Sequence, residues 1–337
     1  MGDSLSELTT LGLGGPAANI VPVLDADELV AAVREVQEEK RPLLLIAGGS
    51  NLVVSDAGFD GTVIHLQGRG VEIDGETVTV QAGEPWDALV DHCVGRELAG
   101  IEALSGIPGS AGATPIQNVG AYGQEVADTI TSVKVYDRQT DKIELMSNAD
   151  CSFGYRTSSF KRDPARWVVL EVVFKLRASQ QSEPIAYAQL ADALGVKLGG
   201  TAPLIEVREA VLDLRRSKGM VLDPNDLDTR SAGSFFTNPF VDRAGLDKIE
   251  RAAGEAPPAW PEGDLIKTSA AWLIQRAGFQ PGQGDPRGIA ISSKHVLALT
   301  NRGNGTTEEL LAFAGQIVAA VQQKFGVSLE REPTLVG

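Results

Sequence analysis

The sequence predicts an α+β fold divided among separate lobes, and three observations support this. Helix-like and strand-like segments do not alternate regularly, as they would in a doubly wound α/β fold. The chain has 337 residues, which is more than one typical domain. Two polar or turn-rich stretches, 178–204 and 217–241, interrupt the periodic segments beyond the middle of the chain.

The first hundred residues contain clear local signals. Asp25 precedes apolar residues at helical spacing and predicts a helix. The run PLLLIA from Pro42 predicts a buried strand, and TVIHL predicts a second one. A hairpin is expected around Asp74-Gly75, where it leads into the alternating strand TVTVQ. Trp86–Leu98 is predicted to be a helix.

The rest of the chain gives a mixture of strands and helices. The polar stretch 178–204 is expected to be a loop, and the last twelve residues a strand followed by a tail. Thr306, Thr307 and Glu309 predict the capped start of a long helix through Phe325. The other expected elements are strands at Thr131–Tyr136, Trp167–Lys175 and VLALT, and helices at Leu204–Arg216, Asp242–Ala253 and Ile266–Ala277.

Composition argues against several classes of protein. Asp and Glu number 45 against 30 Lys and Arg, a net charge of −15, and such a surface repels nucleic acid. Two cysteines cannot form a disulfide scaffold, and three histidines without ligand spacing make a metal site unexpected. The segment MGDSLSELTT lacks the features of a signal peptide, and no apolar run is long enough to span a membrane. The expected location is therefore the cytoplasm.

Glycine is in excess, with 37 residues, about 11% against a usual ~7%. One concentration is AGGSN at 47–51, directly after the predicted strand PLLLIA. Small residues there allow backbone N–H groups to converge on an anion, with Ser50 and Asn51 adding side-chain donors. The spacing is not that of a Rossmann fingerprint. An ordinary glycine turn is the alternative.

A second concentration is SGIPGSAGATPIQNVGAYG at 105–123, which contains five glycines and no charged residue. This composition suits a backbone that passes closely around a large ligand, with Gln117, Asn118 and Tyr122 supplying directional contacts. A glycine-rich strand crossover is the alternative.

Three further features carry polar chemistry. In GYRTSSFK (154–161), an aromatic residue next to Arg156 suits an anionic ligand, although a surface turn with an ion pair is an equal alternative. In SAGSFFTNP (231–239), Gly233 permits a bend that presents Ser234 as a proton donor, or forms a buried structural turn. Glu332 is a third candidate, with a frayed tail as its alternative.

Taken in this order, AGGSN, IPGSAGATPIQNVGAYG, GYRTSSFK, AGSFFTNP and Glu332 resemble the UDP-N-acetylenolpyruvoylglucosamine reductases. These flavoenzymes act in peptidoglycan synthesis, and the resemblance extends from about Leu11 to Gly337. It implies a vanillyl-alcohol-oxidase-type FAD-binding fold with a third, substrate-binding lobe. The implied division is 1–66 with 326–337, then 67–205, then 206–325.

The resemblance also implies non-covalent FAD, with NADPH as the hydride donor and a monomeric enzyme. The glycine-rich segments would hold FAD, AGGSN at its pyrophosphate. The implied cofactor-binding residues are Gly48, Gly49, Ser50, Asn51, Pro108, Gly109, Gly112, Ala113, Gln117, Asn118, Gly120, Ala121, Tyr122 and Gly123.

The implied reaction adds hydride to C3 of the enolpyruvyl ether, and Ser234 then protonates C2. Arg156 and a protonated Glu332 would stabilise the anion formed between these steps. The polar stretch resembles the longer subclass of the family, in which a loop tyrosine, here Tyr187, closes over the UDP-sugar. The other positions matched to substrate contacts are Tyr155, Lys218, Asn238 and Gln275.

One departure from the family pattern concerns Pro333, which follows Glu332 directly and could shift the backbone that carries it. Two other functions remain open at this stage. One is a sugar or lactone oxidase of the same FAD fold, although such enzymes often tether FAD through a histidine and neither glycine segment contains one. The other is a sugar-nucleotide-binding protein without catalysis, against which the joint retention of Tyr155, Arg156, Lys218, Ser234 and Glu332 argues.

Overall fold

The computed structural model describes residues 4–337, so Met1–Asp3, which begin the first predicted lobe, lie outside the described residues. The described chain divides into two compact units. We call residues 18–48 and 61–217 the central unit, and residues 4–17, 49–60 and 218–337 the C-terminal unit. The sequence-based division into three lobes stays a prediction.

Among the described residues, the longest helix lies near the end of the chain. Over residues 4–337, the 3-10 helices are Leu5–Leu8, Glu102–Leu104, Ala111–Ala113, Val126–Asp128 and Leu227–Thr229. The α-helices are α1 (Ala26–Glu38), α2 (Trp86–Gly95), α3 (Asn148–Cys151), α4 (Ser159–Arg162), α5 (Ala188–Leu194), α6 (Leu204–Ser217), α7 (Arg243–Ala253), α8 (Ala270–Arg276) and α9 (Thr307–Phe325).

The strands of the described residues form several small sheets. They are β1 (Ala17–Val23), β2 (Leu43–Ile46), β3 (Leu52–Val54), β4 (Phe59–Leu66), β5 (Val71–Asp74), β6 (Thr77–Gln81), β7 (Leu98–Ala99), β8 (Gly120–Ala121), β9 (Gln124–Glu125), β10 (Ile130–Asp137), β11 (Lys142–Ser147), β12 (Trp167–Lys175), β13 (Arg177–Ala178), β14 (Ser231–Ser234), β15 (Phe240–Val241), β16 (Ala259–Glu262), β17 (Leu265–Thr268), β18 (Ile289–Ile291), β19 (Ala298–Asn301) and β20 (Thr334–Val336).

The central unit contains a five-stranded antiparallel sheet in the order β11-β10-β12-β6-β5. The alternation in TVTVQ places Val78 and Val80 on one face, where both are fully buried. Helix α2 packs its buried residues into the same hydrophobic cluster. A smaller cluster joins α1 to the sheet β1-β4-β2, in which β2 and β4 are parallel. Strand β2 ends at Ile46, so the first glycine segment follows it directly.

The C-terminal unit is built on the sheet β14-β19-β18. Buried residues of α8 and α9 form one apolar cluster with Phe235 and Phe236, which directly follow β14. Strand β20 pairs in parallel with β3, joining positions that are far apart in sequence. The segment leading to β20 is therefore held in a fixed place rather than left as a frayed tail.

Several sequence predictions are confirmed. Helix α9 has Thr306 as its N-cap, and Glu309 completes a reciprocal capping box. The hairpin around Asp74-Gly75 forms between β5 and β6. Strands β10 and β12 cover the two predicted runs, and α6 covers the predicted helix at 204–216. No helix within residues 4–337 is long and apolar enough to cross a membrane.

Three predictions are wrong in part. The expected helix Ile266–Ala277 is strand β17 followed by α8, because Ser269 caps a new helix and stops the strand. The stretch 178–204 is not all loop, since α5 lies within it. The order of strand then tail at the C-terminus is reversed, since the strand is β20 itself.

Candidate active site

The two glycine-rich segments meet within the central unit. A Cβ placed on Gly48 would lie 2.9 Å from Cα of Gly109, so a side chain at position 48 would separate the two backbones. The N–H groups of Gly48 and Gly109 donate to no acceptor within residues 4–337. Two neighbouring backbone donors without a protein acceptor suit an anionic ligand group.

Gly49 belongs to the C-terminal unit and is required there by backbone geometry. Its φ is +54°, and a Cβ would overlap the carbonyl oxygen of Leu8. The carbonyl of Gly49 accepts from the Thr10 amide at 3.4 Å. The turn is therefore held by a contact that only glycine allows.

The second glycine segment is packed against its own unit. A Cβ on Gly112 would overlap that of Ala82, and the Gly112 amide donates to the Ala82 carbonyl at 2.9 Å. Asn118, which is buried, donates from Nδ2 to Glu125 at 2.7 Å and to the Gly154 carbonyl at 3.2 Å. Asn118 thereby ties this segment to the GYRTSSFK turn.

Three predicted site residues have left-handed backbone although they are not glycine. Asn118, Tyr122 and Arg156 have φ values of +46°, +50° and +52°. Such a residue costs about 1–2 kcal/mol in backbone energy, so it persists where surrounding contacts fix it. The clustering of three in the predicted site indicates that side-chain placement there is maintained against local preference.

The Arg156 turn is closed by two backbone hydrogen bonds between Gly154 and Thr157, at 3.0 and 3.2 Å. The Arg156 guanidinium donates from Nη2 to the Gly120 carbonyl at 2.9 Å and lies 6.0 Å from the centre of the Tyr155 ring. Lys161 donates to the Arg156 carbonyl at 3.0 Å. The turn therefore links GYRTSSFK to the second glycine segment, within one unit.

Arg215, near the end of α6, is a residue that the sequence reasoning missed. It is buried, and burial lowers the pKa of its guanidinium to about 10, with the charge of Arg156 acting in the same direction. Two guanidinium groups close enough to interact raise the local positive potential. The signal was present in the sequence, because Arg208 and Arg215 lie on the apolar face of α6 with Leu204 and Val211.

Tyr187 lies on the surface of the central unit, with about 44% of its area exposed. Its ring packs edge-on against Tyr122, with ring centres 5.5 Å apart. The contact joins the predicted substrate tyrosine to the second glycine segment.

Ser234 ends strand β14 in the C-terminal unit. Gly233 has φ of +71°, and the pairing of β14 with β19 is irregular between Ser231 and Ser234. Ser234 itself pairs with Ala298, and the next amide, of Phe235, donates to the Leu297 carbonyl at 2.7 Å. The hydroxyl of Ser234 makes no hydrogen bond within the described residues, although neighbouring backbone groups do.

Glu332 lies beside this bend. Its amide donates to the Phe235 carbonyl at 3.0 Å, and its carbonyl accepts from Asn51 Nδ2 at 3.4 Å. The amide of Thr334 donates to the Asn51 carbonyl at 2.9 Å. Pro333 thus stands between two used donors and leaves the pairing intact. Asn51, Ser234 and Glu332, which are far apart in sequence, are brought together by these bonds.

His295 is a second residue that was missed. It precedes Ala298 in the turn next to Ser234, and its carbonyl accepts from the Ala298 amide at 3.1 Å. Burial and, secondarily, the charge of Lys218 lower the pKa of His295 to about 4. Lys218 therefore lies near this turn, and His295 is uncharged at neutral pH. A search for metal-ligand spacing could not detect such a lone histidine.

Asn238 and Gln275 are placed less directly. The side-chain oxygen of Asn238 accepts from the Ala270 amide at 3.0 Å and so helps begin α8. Gln275 lies in α8, half-buried, and makes no hydrogen bond to Ser234 within the part of the chain described. Their proposed substrate contacts rest on the resemblance.

Comparisons with known proteins first define a class. Residues 17–145 match a family model described as FAD binding domain. The N–H groups of Gly48 and Gly109, which face no protein acceptor among the described residues, agree with this description. The matched region is therefore the domain of an FAD-binding protein. The predicted α+β fold of the vanillyl-alcohol-oxidase type is confirmed by this match and by the solved structure described next.

The remaining matches are more specific. Residues 223–336 match the model of the UDP-N-acetylenolpyruvoylglucosamine reductase C-terminal domain. The reductase of that name from Thermobifida fusca is 54% identical, over 99% of this chain and 96% of the relative, and that from Streptomyces coelicolor is 54% identical, over 99% and 89%. A crystal structure of the enzyme from Thermus caldophilus is 25% identical with a TM-score of 0.68, over 99% of this chain and 98% of that one. The chain belongs to the UDP-N-acetylenolpyruvoylglucosamine reductase family.

Proposed function

We propose that the protein reduces the enolpyruvyl group of UDP-N-acetylenolpyruvoylglucosamine to give UDP-N-acetylmuramate for peptidoglycan synthesis, with FAD as cofactor and NADPH as reductant. The observation that carries the proposal is the position of Ser234 beside the Glu332 segment in the C-terminal unit, where the Glu332 amide donates at 3.0 Å to the carbonyl of Phe235, the residue after Ser234. It places a hydroxyl and a carboxyl group, both able to hold a transferable proton, on adjacent segments.

The residues present fit FAD. When bound, FAD supplies a hydride acceptor and donor that NADPH can reduce. In the central unit, the N–H groups of Gly48 and Gly109 would bind the pyrophosphate, which is polyanionic and needs donors. The resemblance also assigns Gly49, Ser50 and Asn51 to cofactor binding. The other residues of the 108–123 set would contact the rest of the dinucleotide.

Arg156 would stabilise negative charge on the substrate. Hydride addition at C3 leaves an anion shared between C2 and the carboxylate, and positive groups aimed at that charge lower the barrier. The nearby charge of Arg215 adds to the field of Arg156. This accounts for anion binding by a chain whose net charge is −15.

Ser234 would deliver the proton to C2. A hydroxyl is a weak acid, so a neighbouring positive charge is needed, and Lys218 lies close enough to the adjacent turn to lower the pKa of His295. Glu332, in its protonated form, would donate to the substrate carboxylate while charge develops there. Tyr155, Tyr187, Asn238 and Gln275 would contact the UDP-sugar.

The proposal includes three finer assignments. NADPH rather than another nicotinamide nucleotide is the reductant. The enzyme acts as a monomer in the cytoplasm, where UDP-sugars and NADPH both occur. The chain is divided functionally into an FAD-binding part formed by 1–66 with 326–337, a second FAD-binding lobe at 67–205 and a substrate-binding lobe at 206–325.

The test is an anaerobic visible spectrum of the purified protein. We expect flavin absorbance that NADPH bleaches and that UDP-N-acetylenolpyruvoylglucosamine restores with one equivalent of substrate. If NADPH bleaches the flavin but the UDP-sugar does not restore its absorbance, the proposed substrate is wrong. Flavin that stays with the acid-precipitated protein would favour the oxidase alternative, and a protein without flavin would contradict both enzymes.

A further inference from the structure

Residues 182–202 of the central unit form a loop whose two ends are hydrogen-bonded to each other. The Ser182 amide donates to the Ala202 carbonyl at 2.9 Å, and the Ile185 amide donates to the Gly200 carbonyl at 2.8 Å. We call 182–185 with 199–202 the neck, and 186–198 the Tyr187 segment. The segment contains α5 and the exposed ring of Tyr187. Its position relative to the rest of the unit is set at the neck and at its first two residues.

A buried carboxylate holds the neck. Glu102 is about 1% exposed, and its two oxygens accept three hydrogen bonds. The donors are the Glu183 amide at 2.9 Å, Nε2 of Gln124 at 3.0 Å and the Gly100 amide at 2.6 Å. Oε1 of Gln124 in turn accepts from the Ala103 amide at 2.8 Å. Glu102 therefore connects the neck to the start of β9.

The chemistry of this site requires a carboxylate. All three partners are donors, and an ionised carboxylate is the side-chain group that only accepts. A glutamine at position 102 would turn its NH₂ group against at least one of them, leaving donors buried and unsatisfied. Position 102 therefore requires the acceptor chemistry of a carboxylate, and a side chain of similar size is not enough.

The start of the Tyr187 segment is held by the residues next to Gln124. The Tyr187 ring contacts Tyr122 edge-on at 5.5 Å, and a Cβ on Gly123 would lie 2.9 Å from that of Ala186. Ala103, which follows Glu102, joins Ile185 and Leu190 in one buried cluster. The residue pair 102–103 and the run 122–124 together hold the Tyr187 segment against the unit.

We propose that Glu102 is a positioning residue for substrate binding, which fixes the neck from which Tyr187 closes over the UDP-sugar. The inference rests on the proposed function, because it takes Tyr187 as a substrate contact. A neck that is already ordered loses less conformational entropy on binding, so the benefit falls on substrate affinity. The proposal assigns Tyr187 to the UDP-sugar, so we expect the reduction of FAD by NADPH to change little.

The first experiment compares Glu102→Gln with Glu171→Gln, a control in β12 of the same unit whose carboxylate accepts from Gln81 at 3.2 Å. We expect Glu102→Gln to raise KM for the UDP-sugar about tenfold, which corresponds to about 1.4 kcal/mol. Flavin bleaching by NADPH should stay within twofold of wild type. Trypsin should cut faster after Lys197, the lysine of the segment, which is exposed. The control should change none of these quantities by more than twofold.

The deciding experiment is a double-mutant cycle with Tyr187→Ala. If Glu102 acts through the tyrosine, its substitution should change KM less than twofold in the Tyr187→Ala background. A tenfold effect in both backgrounds would make Glu102 merely structural and overturn the proposal, while leaving the proposed function standing. An unchanged KM in Tyr187→Ala alone would contradict the substrate role of Tyr187 in the proposed function.

Gln124→Met provides a second variant should Glu102→Gln not fold. It removes one donor to Glu102 and the acceptor of the Ala103 amide, while leaving the carboxylate bound by two backbone donors. We expect a threefold rise in KM that also disappears in the Tyr187→Ala background. A threefold effect that persists in that background would overturn the proposal.

Discussion

The Arg156 turn and the Ser234 bend each place a polar side chain by means of left-handed backbone, but in different ways. Each contains one left-handed residue, Arg156 at φ +52° and Gly233 at φ +71°. In the Ser234 bend, glycine adopts the left-handed backbone and the proposed proton donor is its neighbour, so the backbone alone presents Ser234. In the turn, the proposed anion-stabilising residue is itself left-handed and depends on side-chain and carbonyl contacts, such as the 2.9 Å bond to Gly120.

Because of this difference, a substitution changes a different property in each region. The position of the serine is set by local geometry and pairing with β19, so its hydroxyl can be removed without disturbing the bend. The position of Arg156 is set by a network of contacts, so replacing its guanidinium alters both the chemistry of the side chain and its position. Substitutions in these two regions and in their neighbours should therefore have different effects on turnover and on stability.

Ser234→Ala should lower steady-state turnover about 10³-fold, because general acid catalysis by a positioned group contributes 10²–10⁴-fold. The substitution leaves Gly233 and the backbone pairing in place, so the melting temperature should stay within a few degrees. Turnover measured by NADPH absorbance provides the check, with Ser132→Ala in β10 as the control. Turnover within tenfold of wild type would exclude the proton-donor role.

Arg156→Lys should slow reoxidation of the flavin by the UDP-sugar about 10²-fold. Lysine keeps the charge but loses the planar, multi-donor geometry that both the Gly120 contact and a carboxylate require. Single-turnover absorbance measures the rate. Arg162→Lys, six residues along in the same region, should leave it unchanged. Equal rates in the Arg156 variant and wild type would refute the assignment.

Glu332→Gln should lower turnover about tenfold and remove one ionisation from the pH–rate profile. Glutamine keeps a hydrogen-bond donor of similar size but does not titrate. Profiles of kcat against pH should be compared for wild type, Glu332→Gln and Glu330→Gln, an exposed carboxylate nearby as control. A profile for Glu332→Gln with the wild-type ionisations would contradict the acid role.

His295→Gln should flatten the dependence of stability on pH. The folded-state pKa of His295 is about 4, below the unfolded value near 6.5, so the unfolded chain binds the extra proton. Stability is therefore lost as pH falls from about 6.5 toward 4, by about 1–2 kcal/mol between pH 7 and pH 5 for this residue. Urea unfolding at the two pH values measures this loss. The idea fails if the variant and wild type lose equal stability.

Gly233→Ala should destabilise the protein by about 1 kcal/mol. A Cβ there would meet nothing within 4 Å, so the cost comes only from the left-handed backbone. Gly315→Ala in α9 is the matched control, since it also meets nothing within 4 Å and should stabilise the helix by several tenths of a kcal/mol. An unchanged free energy of unfolding in Gly233→Ala would contradict this, because it would show that alanine adopts the bend without strain.

The sequence was most informative where the determining contacts are local. The capping box at Thr306 and the hairpin at Asp74-Gly75 are encoded within a few residues, and both formed as predicted. The helix predicted from Ile266 failed because the pattern was followed across Ser269, whose N-cap separates a strand from a helix. The available signal for this boundary was Ser269 itself, a helix-capping residue inside an apolar run.

The candidate site was predicted as a set of motifs but not as an arrangement. Nothing local indicates that the Glu332 amide bonds Phe235, since the pairing depends on β20 joining β3. Arg215 was missed because a charged residue on an apolar face was taken as part of an ordinary helix. Glu102 was missed because its partners, Gln124 and Glu183, converge only in the folded chain.

Ser234 is proposed to act only when reduced FAD reduces the UDP-sugar, and not when NADPH reduces FAD. Anaerobic stopped-flow on Ser234→Ala tests this most directly. The account predicts that NADPH bleaches the flavin of the variant at a rate within twofold of wild type. Reoxidation by UDP-N-acetylenolpyruvoylglucosamine should be at least a hundredfold slower. Bleaching slowed as much as reoxidation, or reoxidation at the wild-type rate, would contradict the account.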